Sequence, residues 1–408
     1  MTRREFMAAA AAPAIVGARQ APHGYTPREI EAIVQRGPGG AVTRADILTP
    51  ALVLDLDAFE ANVGKMAAHL KQRGKAFRPH GKTHKCPDIA HALVRAGAVG
   101  TCAAKLSEAE VFAEHGLTRI LVTTQVVGRR KIERAAALAQ KHPDTIFAVD
   151  DERIVRDLDA AAAARRGKKP TVVNVAIDLL YGRTGIPAGE PAVELARVVR
   201  TLGNVRLAGI QAYDGGASHT VGFDARRTRS LASMGQAVET RRLFERAGLE
   251  CPLLSCGSTG TYNIDSEIDG VTELQPGSFM FMDIDYNRIG GQDGPGYRDF
   301  QNALTVVTTV VSRRPNVAIV DGGYKAFSTD RPFTPEVRGI EGITYAWAGD
   351  EHGRLDLTNA SADVKLGDRI ELVVPHCDPS VNLYDRMYCL RGDRVTAVWR
   401  IAARGMTQ

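Results

Sequence analysis

No Cys-x-x-Cys pair occurs among the six cysteines, Cys86, Cys102, Cys251, Cys256, Cys377 and Cys389. That spacing excludes a zinc knuckle and a dithiol redox motif, and most of the six are expected to be free. No basic run interleaved with aromatics appears, and a net charge of +5 scattered over 408 residues offers nucleic acid no patch. No apolar run reaches membrane-spanning length; the N-terminal one is short and alanine-rich. What remains is ordinary globular composition, 44% apolar and 24% charged, long enough for two or three domains.

Residues 1–18 open with Arg3-Arg4, place Phe6 two positions on, continue through alanines and close on Val16-Gly17-Ala18. This is the pattern of a twin-arginine export signal, and it predicts a periplasmic protein. That route carries proteins that are already folded. Residues 19–44, rich in proline and glycine, read as a tether with one short helix.

A strand–helix rhythm begins near residue 50. Leu52 to Leu56 is a continuous apolar run, as in a strand covered on both faces. Asp57 and Glu60 have capping-box spacing for a helix whose stripe is Phe59, Val63, Met66, Ala67 and Leu70, ended by Gly74. Further strands are expected at 76–80, 98–104, 119–125, 145–150, 171–178, 205–213 and 252–256. Eight strands, each followed by a crossover, fit a (β/α)8 barrel better than an open sheet. After about residue 290 short β-branched runs separated by Gly-Asp and Asp-Arg turns predict a second, mainly β domain. The expected partition is a barrel over 45–290 and a β domain over 291–408.

The densest chemistry lies in Ala76-Phe77-Arg78-Pro79-His80-Gly81-Lys82-Thr83-His84-Lys85-Cys86-Pro87. Pro79 holds Arg78 extended, so a strand ends there and delivers two lysines, two histidines and an arginine to its end. Cations crowded in this way are expected to depress a lysine pKa and leave an amine able to attack a carbonyl. Lys82, Lys85 and Lys105 all qualify by chemistry.

This motif, about thirty residues after Thr49-Pro50-Ala51-Leu52-Val53-Leu54-Asp55, closely resembles the D-threonine aldolase and D-serine dehydratase family. The resemblance runs from about residue 45 to the C-terminus. It implies an alanine-racemase-like barrel that uses pyridoxal 5′-phosphate (PLP), with Lys82 forming the Schiff base. It places Arg183, in Gly182-Arg183-Thr184-Gly185, near the cofactor ring and Tyr213 at the pyridine nitrogen. It makes His219 a candidate general base for the substrate hydroxyl. Relatives often carry histidine where Asp214 stands. Ser258, Thr259, Gly260 and Thr261 match the phosphate loop, although Cys256 and Ser258 replace glycines of the family run.

The resemblance also gives Pro375-His376-Cys377-Asp378 a role. Histidine and aspartate two apart in an extended segment share a face, and His376 with Asp378 would hold Mn²⁺ or Zn²⁺ beside the PLP. Aldolases of the family tend to show aspartate at the second position and eukaryotic dehydratases cysteine, so Asp378 tips the expectation toward aldolase. The implied activity is metal-assisted cleavage of D-β-hydroxy-α-amino acids such as D-threonine into glycine and an aldehyde. A D-serine or D-3-hydroxyaspartate dehydratase is the alternative on the same site; a racemase and a non-catalytic PLP carrier are less favoured. The partner is a small D-amino acid. A homodimer is the assembly left open.

Overall fold

The computed structural model describes residues 25–37, 42–167 and 169–408. The twin-arginine segment lies outside the described residues.

Parallel strands buried on both faces are built from short β-branched and aliphatic runs, and eight of them form one sheet. They are β2 (Ala76–Phe77), β3 (Cys102–Ala103), β4 (Leu121–Val122), β5 (Ile146–Val149), β6 (Val173–Asp178), β7 (Val205–Ala212), β8 (Leu253–Cys256) and β9 (Glu273–Leu274). Their order is β2-β9-β8-β7-β6-β5-β4-β3, and every pairing is parallel. A parallel bridge from His80 to Cys102 and the Val99 N–H to Phe77 carbonyl bond bring β2 back to β3, closing the barrel. At β7, glycine is required: a Cβ on Gly209, whose φ is +144°, would lie 2.1 Å from the Leu253 carbonyl oxygen of β8.

The strand expected to open the barrel does not belong to it. β1 (Ala51–Asp55) runs antiparallel to β10 (Leu304–Arg314) and parallel to β16 (Arg386–Arg391) in the second sheet. The barrel takes β9 as its eighth strand instead. A fully apolar strand reads alike in either sheet, because both of its faces are covered in both places. The following helix, Leu56–Gln72, also starts two residues earlier than its pattern suggests. Asp55 caps it through the amides of Asp57 and Ala58, while Asp57 and Glu60 both bind Arg391. Phe59, Val63, Met66 and Leu70 are buried as expected, and Gly74 with φ +64° ends the segment.

The second sheet is completed by β11 (Val317–Val320), β12 (Glu336–Val337), β13 (Thr344–Trp347), β14 (Gly353–Asp356), β15 (Arg369–Val373) and β17 (Arg394–Arg400). The helix Pro27–Gln35, capped by a Thr26–Glu29 box, packs on this sheet through Ile30, while Glu31 binds Arg386 and Arg400. All six cysteines are free and buried. No helix among the described residues is long and apolar enough to cross a membrane.

One segment joins the two layers at the mouth. Asp283 accepts from the Tyr286 amide with Oδ1 and from the Cys377 amide with Oδ2, at 2.9 and 2.8 Å. The Ile284 and Asp285 amides donate to the Val374 and Pro375 carbonyls. Residues from the end of the barrel and the end of β15 are thereby brought to one mouth.

Candidate active site

The cluster after β2 is not an assembly of unpaired cations. Arg78 makes a two-pronged ion pair with Glu273 of β9, at 2.7 and 2.9 Å, and both side chains are buried. Lys85 is paired with Glu108 at 2.5 Å. His80 and His84 are buried, and burial pushes both well below the usual imidazole range, His84 to about 3. Lys82 is left as the cation that faces the mouth, on a single turn Gly81–Thr83, with 38% of its side chain exposed.

Its environment overturns the expected pKa. Asp378 Oδ2 stands 3.2 Å from Lys82 Nζ and raises the lysine pKa above its ordinary value, outweighing burial and Arg183. The reason lies in sequence distance: the motif's cations are local, but Glu273, Glu108 and Asp378 arrive from elsewhere in the chain. Burial by itself would raise Asp378; Lys82 and then His376 hold its carboxyl well below the usual range. Lys82 and Asp378 therefore form a charged pair across the junction of the two domains.

Arg183 and Tyr213 are neighbours of that pair. The Arg183 guanidinium lies 5.7 Å from the centre of the Tyr213 ring. Beside them is a cavity of about 340 Å³ lined by Arg183, Thr184, Gln211, Tyr213, Gly216 and Arg229. Asp214 does not take a histidine's place in function. It caps the four-residue helix Gly215–Ser218 and is clamped by Arg229 and Ser233. That helix presents Ser218, bonded to the Tyr286 hydroxyl at 2.8 Å, and then His219. His219 Nδ1 lies 3.0 Å from Asp285 Oδ2, an ion-pair distance whose angle misses hydrogen-bond alignment. Asp285 was not among the expected catalytic residues, and neither was Arg331, whose Nε is 3.0 Å from the same oxygen.

After β8 the chain turns through Gly257, at φ +77°, into Ser258–Thr261. Ser258 and Thr261 hydroxyls bond each other at 2.9 Å, and Thr259 Oγ1 accepts from the Phe279 amide. The N–H groups of Thr259, Gly260 and Thr261 find no acceptor among the described residues. Buried Arg226 braces the loop by donating to the Gly260 carbonyl at 2.7 Å. Backbone amides without acceptors in the loop after β8 fit a phosphate, and a solvent-reachable lysine after β2 fits the aldehyde of PLP.

Beneath the loop, Asp265 accepts from Thr261 at 2.5 Å and from Ser230, and burial pushes its carboxyl up to about 6. A folded-state pKa raised above the unfolded value means the folded chain holds this proton more tightly. Stability from this group is present below pH 4 and is lost as pH rises through about 6. Relative to wild type, Asp265→Asn is therefore expected to gain on the order of 3 kcal/mol between pH 4 and 7. Urea unfolding of both proteins across that range measures it, and a flat difference would refute the assignment.

The second site segment is not extended throughout. His376 is extended, but Cys377–Val381 is a short helix, and Asp378 lies in its first turn. The helical turn sends Cys377 inward, fully buried, and Asp378 toward Lys82. His376 Nδ1 is 2.7 Å from Asp330 Oδ2, leaving Nε2 without a protein partner among the described residues. No cluster of three or more metal-ligating side chains occurs among the described residues. One imidazole nitrogen and one carboxylate fit a divalent cation completed by water and substrate.

Two family models cover most of the chain: the alanine racemase N-terminal domain over residues 54–285 and a putative serine dehydratase domain over residues 303–390. The chain is 38% identical over 367 residues to the 3-hydroxy-D-aspartate aldolase of Paracoccus denitrificans strain Pd 1222, covering 88% of this chain and 93% of that one. The crystal structure of D-threonine aldolase from Filomicrobium marinum superposes with a TM-score of 0.84 at 38% identity, covering 90% of this chain and 99% of that one. The D-threo-3-hydroxyaspartate dehydratase from Delftia sp. HT23 superposes at 0.76 with 28% identity, covering 88% and 98%. With its Lys82–Asp378 mouth between a closed parallel barrel and a β sheet, the chain belongs to the PLP-dependent lyase family of D-threonine and 3-hydroxy-D-aspartate aldolases, on the alanine racemase fold.

Proposed function

We propose that the protein cleaves the Cα–Cβ bond of D-β-hydroxy-α-amino acids, D-threonine and 3-hydroxy-D-aspartate among them, to glycine and an aldehyde. The observation that carries this reading is that Asp378, not Cys377, faces Lys82. A hard carboxylate with His376 suits Mn²⁺ or Zn²⁺ and grips a hydroxyl oxygen, whereas a buried thiol is out of reach.

Each residue has a task that follows from its position. Lys82 would anchor PLP, the amides of Thr259, Gly260 and Thr261 would take its phosphate, and Arg183 and Tyr213 would flank its ring. When bound, PLP supplies the electron sink into which the broken bond's electron pair is drawn. His376 and Asp378 would hold the cation, which lowers the pKa of a coordinated hydroxyl. His219 Nε2 would take the β-hydroxyl proton while Asp285 at Nδ1 steadies the imidazolium. The β-oxygen then becomes the aldehyde carbonyl, and a proton delivered to Cα completes glycine.

The similarity to the Delftia dehydratase supports one second reading, loss of the hydroxyl with deamination on the same residues. Product analysis with D-threonine separates the two. Glycine and acetaldehyde in equal amounts are expected; 2-oxobutanoate and ammonia would replace the aldolase reading with the dehydratase one. The Arg3-Arg4 segment supports export to the periplasm. Export that survives replacing both arginines with lysine would remove that reading.

A further inference from the structure

Asp330 lies in the connection after β11, far in sequence from every motif that the family resemblance supplies. Its Oδ2 is 2.7 Å from His376 Nδ1. A carboxylate only accepts, so Nδ1 must carry the hydrogen, and in the neutral ring the lone pair is then on Nε2. The same connection also fixes the histidine's main chain. Ser328 Oγ accepts from the His376 amide at 3.1 Å and donates to its carbonyl at 3.0 Å. The Ser328 amide donates to Ser380 Oγ, which itself donates to the His376 carbonyl at 2.8 Å. Ser328 and Ser380 are buried, so backbone and ring are held by one connection.

The Asp330 contact has little to offer stability. Its side chain is 42% exposed, and half-exposed ion pairs contribute little to folding. Orientation is what it does supply. It selects one tautomer and blocks the ring flip that would exchange Nδ1 for Nε2. Arg331, next in the chain, lies 3.8 Å from Asp330 and 3.0 Å from Asp285, so the connection touches the His219 side of the mouth as well.

We infer that Asp330 is a positioning residue: it commits His376 Nε2 to a divalent cation shared with Asp378. The inference rests on the metal reading of His376 and Asp378. Mn²⁺ titration of chelator-stripped holoenzyme by calorimetry tests it, with wild type, Asp330→Ala, Asp330→Asn and His376→Ala side by side. Asp330→Ala is expected to weaken Mn²⁺ affinity roughly 10- to 100-fold. Its unfolding midpoint in EDTA and its PLP content should equal those of wild type, and kcat should recover at saturating Mn²⁺. Asp330→Asn still accepts the Nδ1 hydrogen and should lose less than half of that effect on a logarithmic scale. Wild-type affinity in Asp330→Ala would overturn the inference and leave the metal reading standing. A wild type that takes up no Mn²⁺, like His376→Ala, would overturn both. A lowered EDTA midpoint in Asp330→Ala would assign the residue to folding and overturn positioning.

Discussion

Replacing Lys82 by alanine is expected to reduce D-threonine cleavage by roughly 10⁴-fold or more, because the group that binds the reactive carbonyl is lost outright. The structure leaves no substitute nearby. Lys85 Nζ is buried against Glu108, and Lys105 sits at the start of a helix where Glu108 accepts its amide hydrogen. Lys82→Arg separates charge from chemistry: it keeps a cation for Asp378 but offers no amine for a carbonyl. Both variants should be inactive, with Lys82→Ala the less stable, since it leaves a partly buried carboxylate without its cation. Borohydride reduction followed by peptide mapping measures the attachment directly. A cofactor adduct on Lys85 or Lys105 would reject Lys82.

The reach of sequence reading here follows the range of the interactions. Helix stripes such as Phe59, Val63, Met66 and Leu70, and stops such as Gly74, depend on neighbours within a few residues, and they were legible. Sheet membership was less so: Leu52 to Leu56 had the right composition for a barrel strand, but pairing with Leu304–Arg314 and Arg386–Arg391 is not encoded in its own pattern. Charge state was least legible. Arg78, Lys82 and Lys85 each take a carboxylate from elsewhere in the chain, so a run of cations became three separate ion pairs. Asp330 carried no motif signal at all. Only its contact with His376 marks it. The family resemblance, by contrast, named Lys82, His376 and Asp378, and the fold brings these three to one mouth although nearly three hundred residues separate them.

Removing the divalent metal, or making His376→Ala, is expected to lower cleavage roughly 10²- to 10⁴-fold while PLP stays on the barrel, since a cation that stabilises a developing alkoxide is worth several kcal/mol. The separation follows from which domain supplies what. Lys82 and Ser258–Thr261 belong to the barrel, whereas His376 and Asp378 follow β15 of the other sheet. Asp378 links the two. Its Oδ2 is the oxygen nearest Lys82 Nζ, so the ammonium would compete with the proposed metal for one carboxylate. A lysine whose nitrogen is engaged by the cofactor no longer competes, and Mn²⁺ should therefore bind more tightly to holoenzyme than to cofactor-free protein. Mn²⁺ should restore the chelated wild type but not His376→Ala. Asp378→Cys, which supplies the dehydratase-like ligand, should shift products toward 2-oxobutanoate. The decisive measurement pairs elemental analysis with a rate: protein shown to be free of metal that still cleaves D-threonine at the full wild-type rate would end the metal proposal. The preference for aldolase over dehydratase that rests on Asp378 would end with it.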